Sequence, residues 1–388
     1  MSYKLSYSTW GNEENIALKK VIKTGNFTMS NNVKLFEKKF ATYLGRKYAV
    51  MTNSGSSANL IGVASLFFKK NNPLKRGDEV LVPAISWSTT YAPLQQYGLK
   101  LKFIDVNIDS LNVDITQITK AISKKTKLIT SVSILGCPAD LIEINKICKK
   151  NNLYHFEDNC ESLGAKINKN KTGTFGDFST HSFFFSHHIS TMEGGMFVTD
   201  NYELYCIAKS LRAHGWTRDL PKKNPLTKNN KKNMFEEYKF ILPGYNVRPT
   251  ELNAVVGLVQ LKKLNNMIKV RRQNLDYFNF LFENDDRFII QKTNDYHSSF
   301  CFPIILNNKS LVFRKKLLKL LSINNIEFRL ITGGCFTEHY YKKYFNFTTH
   351  GTLKNAKKAH YFGFFIGNSS VDLKKEIYKF YKILKYKL

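Results

Sequence analysis

The sequence is poor in acid and has no long apolar run. Only 30 of its 388 residues are Asp or Glu, against 59 Lys and Arg, leaving a formal net charge of +29. No stretch approaches the roughly 20 consecutive apolar residues that a membrane-spanning helix requires. The opening MSYKLSYSTWGNEEN lacks the apolar core of a secretory signal. The six cysteines (Cys137, Cys148, Cys160, Cys206, Cys301 and Cys335) are widely spaced and form no CxxC pair. That spacing argues against a zinc site or a redox dithiol, and an iron–sulfur cluster would find no grouped thiolates. The expectation is a cytoplasmic protein with reduced thiols and no contact with membranes.

Arginine is scarce as well. Ten of the 59 basic residues are Arg, and Lys is spread along the whole chain. Its short clusters, Lys222-Lys223 and Lys228–Lys232, fall in one polar segment, 221–233, which reads as an exposed loop. A nucleic-acid binder concentrates its cations in a stripe or tail and interleaves aromatics for stacking. No such pattern accompanies the charge, so nucleic acid is not an expected partner. Drift toward Lys, Asn and Ile accounts for the excess.

What the chain does have is 43% hydrophobic and 14% aromatic residues, far above a disordered composition. Its length exceeds one compact core. Strands are expected at Tyr48–Thr52, Glu79–Ile85, Lys102–Asp105, Leu128–Leu135, Tyr154–Glu157, Ser179–Phe185 and Met196–Thr199. Amphipathic stretches such as Ser57–Phe68 and Leu141–Lys150 lie between them. This alternation predicts an α/β fold with a large, mostly parallel, seven-stranded sheet covered on both faces. Residues 1–250 are assigned to the large domain. Residues 251–388 are assigned to a linking helix, from Glu251 to about Phe282, and a small C-terminal α/β domain. The latter should hold strands near Ser299–Leu306 and Glu327–Ile331 and helices near Leu311–Leu321 and Leu373–Leu384.

Ligands on parallel sheets sit at the carboxyl ends of strands, and three segments there carry chemistry. Asn53-Ser54-Gly55-Ser56-Ser57-Ala58-Asn59 follows a strand and opens a helix, a place where free N–H groups attract a phosphate or where Ser simply caps the helix. Phe156-Glu157-Asp158-Asn159-Cys160-Glu161 ends an apolar strand in acids. Such a carboxylate can hold a protonated heterocyclic nitrogen or cap the next helix. The third segment runs from Phe175 to Gly195 and joins Ser182, an aromatic strand, the pair His187-His188 and a Gly-Gly turn.

These segments, with Arg-Ala-His-Gly (212–215) and Gly-Tyr-Asn-Val-Arg-Pro-Thr-Glu (244–251), resemble the DegT/DnrJ/EryC1/StrS nucleotide-sugar aminotransferase family, in order over nearly the whole chain. The resemblance implies the type I aminotransferase fold and a pyridoxal 5′-phosphate or pyridoxamine 5′-phosphate cofactor. One departure stands out. Where the family's aminotransferases carry the lysine that binds the cofactor covalently, this sequence has His187. Lys171 and Lys209 lie too far along the chain to replace it. The cofactor is therefore expected to be non-covalently bound. The pattern Ser-His-His-Ile-Ser-Thr-Met-Glu-Gly-Gly is similar to that of the family's sugar 3-dehydratases, without the iron–sulfur cluster of one such branch.

The resemblance further implies roles. Gly55, Ser56 and Ser182 would bind the cofactor phosphate, Trp87 would stack on its ring, Asp158 would pair with the ring nitrogen, and Glu161 would lie near the same face. His187 would be the catalytic base. Asn246 would reach the cofactor of a neighbouring subunit, making a homodimer with active sites at the interface. His214, Arg218, Phe240 and Arg248 are the substrate-binding candidates, and Arg329 is a candidate for the glutamate carboxylate. The implied reaction removes the C3 hydroxyl of a nucleotide-linked 4-keto-6-deoxy sugar, with L-glutamate as amino donor and release of ammonia, in dideoxysugar synthesis for O-antigen or capsule. A GDP-linked, mannose-derived hexose is the first choice, with a heptose or a CDP-linked sugar left open. A 4-aminotransferase is the alternative, opposed by the missing lysine.

Overall fold

The computed structural model describes residues 2–227, 234–292, 296–307 and 310–387. The cluster Lys228–Lys232 lies outside them. In chain order the strands are β1 (Tyr48–Thr52), β2 (Glu79–Pro83), β3 (Lys100–Ile104), β4 (Thr126–Val132), β5 (Tyr154–Asp158), the small ribbon β6 (Lys166–Ile167) and β7 (Asn170–Lys171), β8 (Phe178–Ser182) and β9 (Gly195–Thr199). The C-terminal part adds β10 (Phe288–Ile290), β11 (Cys301–Leu306), β12 (Phe328–Arg329), β13 (Phe347–Thr349) and β14 (Gly363–Gly367).

Near-continuous apolar runs such as Glu79-Val-Leu-Val-Pro83 are buried on both faces, as strands of a parallel sheet under helices must be. The large sheet has the order β1-β9-β8-β5-β4-β2-β3-β13. Only β9 runs against its neighbours. Helix Gly55–Phe67 lies so close to the sheet that a Cβ on Gly62 would stand 2.4 Å from the Phe178 ring. The sheet has one strand more than the expected seven. The extra strand, β13, comes from the C-terminal part and pairs in parallel with β3. Its pairing covers an edge that would otherwise leave N–H and C=O groups open. The strand expected over Ser179–Phe185 stops at Ser182, where the backbone leaves the sheet to form the loop that carries both histidines.

The helix Glu251–Phe282 starts at Thr250, whose Oγ1 accepts the Asn253 N–H at 3.3 Å while Asn253 Oδ1 accepts the Thr250 N–H at 3.2 Å. At 1.5 Å per residue its 32 residues span about 48 Å, long enough to serve two cores. Its first half packs Leu264, Met267 and Ile268 with Phe36, Phe40 and Phe183. Its second half packs Leu275, Phe278 and Phe282 with Phe302, Phe364 and Phe380 around the smaller sheet, β10-β11-β14-β12. The C-terminal part also returns to the large sheet. Phe336 N–H donates to Ala84 O at 2.9 Å, and the Asn355 and Ala356 N–H groups donate to the Asp105 carboxylate. Among the described residues, no helix is long and apolar enough to cross a membrane.

Candidate active site

β1 and β8 are both antiparallel to β9, so their carboxyl ends share one edge of the sheet. Register fixes the detail, because Thr52, Gly195 and Ser182 stand in one row. A Cβ at Gly195 would sit 2.2 Å from Ser54 O, and one at Gly55 would sit 2.6 Å from Ser182 Cβ. Glycine at both positions is what lets the helix N-terminus close on the end of β8. Ser54 Oγ accepts the Ser57 N–H at 3.1 Å. Of the first-turn N–H groups that lack helical partners, those of Gly55 and Ser56 are left for a ligand. Ser56 Oγ is held by Thr89 Oγ1 at 2.8 Å. Gly55, Ser56 and Ser182 therefore meet in one cradle, with the dipole and donors that favour a phosphate.

Asp158 ends β5 at the same edge and is 3% exposed. Its Oδ2 accepts from Thr90 Oγ1 at 2.7 Å and Asn59 Nδ2 at 3.1 Å, and its Oδ1 accepts the Cys160 N–H at 3.2 Å. Two helices and the loop after β5 thus aim one carboxylate, as a site for a protonated ring nitrogen needs. Trp87, at the start of helix Ser88–Gln96, leaves 56% of its surface exposed. An aromatic face that is open beside a buried carboxylate and a phosphate cradle fits a bound heterocycle.

Glu161 keeps some exposed surface but sits deep among protein atoms, with Oε2 accepting the Leu135 N–H at 2.9 Å. Burial, with a smaller effect from Asp158, pushes its carboxyl up to about 8. Glu157, by contrast, points away into the Gly173–Gly176 turn, whose N–H groups it accepts, and is a structural acid.

His187 lies in the loop between β8 and β9. Its ring packs against Phe300 at 5.1 Å and Phe184 at 6.1 Å between centroids. Burial and the nearby Arg271 cation push it down to about 3, so the imidazole is neutral across the physiological range. Its Nδ1 is enclosed without a hydrogen-bond partner. His188 is fully buried, and its Nε2 donates to Ser298 O. Neither lysine near in sequence approaches this position. Lys171 Nζ donates to Tyr43 O at 2.6 Å, and Lys209 lies over the Tyr205 ring.

The remaining candidates form a second cluster. The bridges Trp216↔Phe240 and Ala213↔Asn246 bring two loops together. The guanidinium groups of Arg218 and Arg248 both face the Trp216 ring, at 5.4 and 5.8 Å, and His214 packs on it at 5.2 Å. Asn246 Oδ1 accepts from Arg248 Nε at 3.0 Å, and Phe240 is 63% exposed. Among the described residues, neither arginine has a carboxylate partner. No hydrogen bond, ion pair or ring contact among them joins this cluster to Asp158, Ser182 or His187. It is nevertheless tied to the strand that precedes the cradle, through Asn53 N–H to Val247 O at 3.0 Å. Arg329 is exposed on β12 and makes no contact with the first cluster.

Sequence reasoning missed Asn59 and Thr90 as the residues that aim Asp158. Asn59 lies within a segment already singled out, one helical turn past Gly55, and Thr90 stands three residues past Trp87; that spacing was the available signal. It also missed Phe300 and Arg271, for which no local pattern exists. The six cysteines are free, and all but Cys160 are buried.

Comparison with known proteins fits this geometry. The model of the DegT/DnrJ/EryC1/StrS aminotransferase family matches residues 9–371. A GDP-4-keto-6-deoxy-D-mannose 3-dehydratase of Yersinia pseudotuberculosis is 45% identical over 387 residues, covering 99% of this chain and 98% of that protein. The E. coli GDP-4-keto-6-deoxy-D-mannose-3-dehydratase with bound hydrated PLP superposes with a TM-score of 0.96 at 46% identity, covering 99% of each chain. A structure of such a dehydratase with a trapped PLP-glutamate geminal diamine gives the same TM-score and identity, over 98% of this chain and 100% of that one. With its motifs in family order, the cradle, carboxylate and histidine on one sheet edge, and a family match across nearly its whole length, this chain belongs to the DegT/DnrJ/EryC1/StrS aminotransferase family.

Proposed function

We propose that the protein is a pyridoxal phosphate-dependent 3-dehydratase that removes the C3 hydroxyl of GDP-4-keto-6-deoxy-D-mannose, using L-glutamate as amino donor and releasing ammonia. The observation that carries this reading is His187, a neutral imidazole where an aminotransferase needs a lysine, beside an otherwise complete cofactor site.

The residues fit the cofactor. Gly55, Ser56 and Ser182 would hold its phosphate, Asp158 its ring nitrogen and Trp87 its ring face. Bound there as the pyridoxamine form, the cofactor supplies an amine for the sugar ketone and a ring that accepts electrons. Asp158 is held by Thr90, Asn59 and the Cys160 N–H, so its charge cannot swing away from the ring nitrogen. His187 would take and return a proton at Nε2, because Nδ1 is enclosed. Burial keeps the imidazole uncharged near neutrality, so Nε2 has a lone pair free to accept that proton. Glu161, raised to about 8, stays protonated near neutrality and can donate a hydrogen bond at the same face.

The second cluster suits a nucleoside diphosphate. Arg218 and Arg248 offer two unneutralised guanidinium groups and Trp216 an aromatic surface. Its lack of contact with His187 within one chain supports a homodimer in which Asn246 and these arginines complete the partner's site. The test is direct. Purified protein with pyridoxal phosphate, glutamate and the GDP-linked keto-sugar should give a product lighter by one oxygen, together with ammonia. A product bearing a new amine would make it an aminotransferase. A turnover preference for CDP-linked sugars would overturn the nucleotide assignment.

A further inference from the structure

Among the described residues, Arg271 is the largest fully buried side chain. It rises from the middle of the helix Glu251–Phe282. Its Nη1 donates to three backbone carbonyls, those of Ser299 at 3.3 Å, Phe300 at 3.0 Å and Asn368 at 3.1 Å. Asn368 closes the loop by donating Nδ2 to Arg271 O at 2.9 Å and Ser299 Oγ at 3.0 Å. No ion pair among the described residues includes Arg271. A buried cation neutralised only by carbonyl dipoles is an expensive arrangement, and a Lys-rich chain with exposed positions to spare has no need of one for solubility.

What Arg271 holds is the segment Ser298–Cys301, and that segment is the wall of the histidine loop. Ser298 O accepts the His188 Nε2 hydrogen bond, and the Phe300 ring lies 5.1 Å from His187 and 6.1 Å from His188. On its other side the segment is sewn to the large sheet. Ser298 N–H donates to Gly136 O and Phe300 N–H to Leu135 O, each at 2.9 Å, while Leu135 N–H donates to Glu161. One guanidinium therefore fastens the strip that presses on both histidines and, through Leu135, reaches the acid on the ring face.

We propose that Arg271 is a positioning residue for His187, fixing the Ser298–Cys301 strip and the Phe300 ring so that the imidazole is held in place. This rests on the dehydratase reading for its consequence but not for its physics. The titratable groups that face the histidine pair are Arg271 from the long helix, His297 from the strip's approach and each histidine for the other. Arg271 is the one permanent charge among them. Its cation adds to burial in holding His187 low and His188 well below the usual imidazole range. Removing it raises His187 toward its ordinary value.

The experiment compares Arg271→Met, Arg271→Lys and Phe300→Leu with the parent as cofactor-loaded protein. One arm does not depend on turnover: 13Cε1-labelled histidine in a deuterated background, with His187 assigned by its loss in His187→Asn, is titrated by NMR. The His187 resonance of the parent should not titrate above pH 5, whereas that of Arg271→Met should show an inflection at higher pH, with Arg271→Lys between them. The other arm measures turnover per loaded site. Arg271→Met should lower kcat at least tenfold with KM for the sugar changed less than threefold, and should move the acid limb of the kcat profile upward. Arg271→Lys should move the limb less than Arg271→Met does and recover part of kcat. Phe300→Leu should lower kcat with the limb unmoved. A His187 titration identical in the parent and Arg271→Met refutes the proposal, as does an equal loss in Met and Lys variants that follows only their melting temperatures. A parent that shows the NMR behaviour yet dehydrates no sugar would refute the function and leave the Arg271 assignment standing.

Discussion

Gly55→Ala probes the phosphate cradle at its tightest point. A Cβ there would lie 2.6 Å from Ser182 Cβ, 3.1 Å from its Cα and 3.1 Å from its Oγ. Carbon atoms in contact prefer about 3.5–4.0 Å, so the helix N-terminus and the end of β8 must part by about 1 Å. Ser182 cannot relieve the overlap by rotating, since two of the three clashing atoms are its Cα and Cβ. Nor can the helix retreat freely, because Gly195 already brings β9 against Ser54 O. A gap of that size breaks at least one hydrogen bond from the cradle to a phosphate. A hydrogen bond to a charged group is worth about 1.5–3 kcal/mol, and each 1.4 kcal/mol is tenfold in affinity, so the expected loss is about ten- to hundredfold. In a lysine-bearing relative a covalent link would mask such a loss, but His187 forms none. Pyridoxal phosphate should quench Trp87 fluorescence on binding, and titration of the dialysed protein with Trp87→Phe as the control gives Kd. A Kd for Gly55→Ala within threefold of the parent, with an unchanged melting temperature, would refute both the cradle and its geometry.

Three further outcomes follow from the same structure. His187→Asn should lower dehydration by about 10²–10⁴-fold, the usual contribution of a general base, while pyridoxal phosphate still binds within severalfold, as absorbance titration would register. Arg212→Met should strand the buried Glu37, whose Oε1 also accepts the Met51 N–H at 2.8 Å. Breaking such a pair costs about 3–5 kcal/mol. At about 2.1 cal/mol/K per residue of unfolding entropy, that lowers the melting temperature by about 4–6 °C, and Arg212→Met with Glu37→Gln should regain part of it. Glu161 is raised, so the folded protein keeps a proton that the unfolded chain gives up near its ordinary value of about 4.3. Its contribution is therefore complete below that value and lost as pH rises toward about 8. Between pH 5 and 8 the melting temperature of Glu161→Gln should fall less than that of the parent.

The parts of the fold that were legible in sequence are those set by local pattern. The long helix opens on a Thr-x-x-Asn capping pair and ends where its apolar stripe ends, so its bounds could be read directly. The end of β8 could not. Phe183-Phe184-Phe185 continues an aromatic run that reads as strand, but Phe184 and Phe185 face outward and the chain turns at Ser182 to place His187. β13 was invisible for a different reason, since Phe347-Thr-Thr349 is too short to signal a strand until it meets the edge of β3. The site divides in the same way. Gly55, Asp158, Ser182 and His187 each sit beside a strand end and announce themselves. Arg271 and Phe300 owe their place to contacts between segments far apart in the chain, and nothing in their neighbours' identities marks them.

Losing the covalent lysine changes what the rest of the site must supply. A tethered cofactor tolerates a loose pocket, whereas an untethered one must be held wholly by shape and charge through steps in which its own charge changes. The features that meet this demand are held by the chain's own contacts. Asp158 has three donors on its two oxygens, the cradle is closed by two glycines, and the histidine loop is pinned by Phe300 and by the bond from His188 to Ser298. Trp87 is left open, and an open aromatic face is what a cofactor that enters and leaves by diffusion requires. A histidine in the lysine's place and tight packing around it therefore answer the same demand. Restoring the lysine without loosening the Phe300 wall should give a protein that binds pyridoxal phosphate covalently but turns over poorly as an aminotransferase. A His187→Lys variant with brisk amino transfer to the keto-sugar would show that the wall plays no part in choosing the reaction.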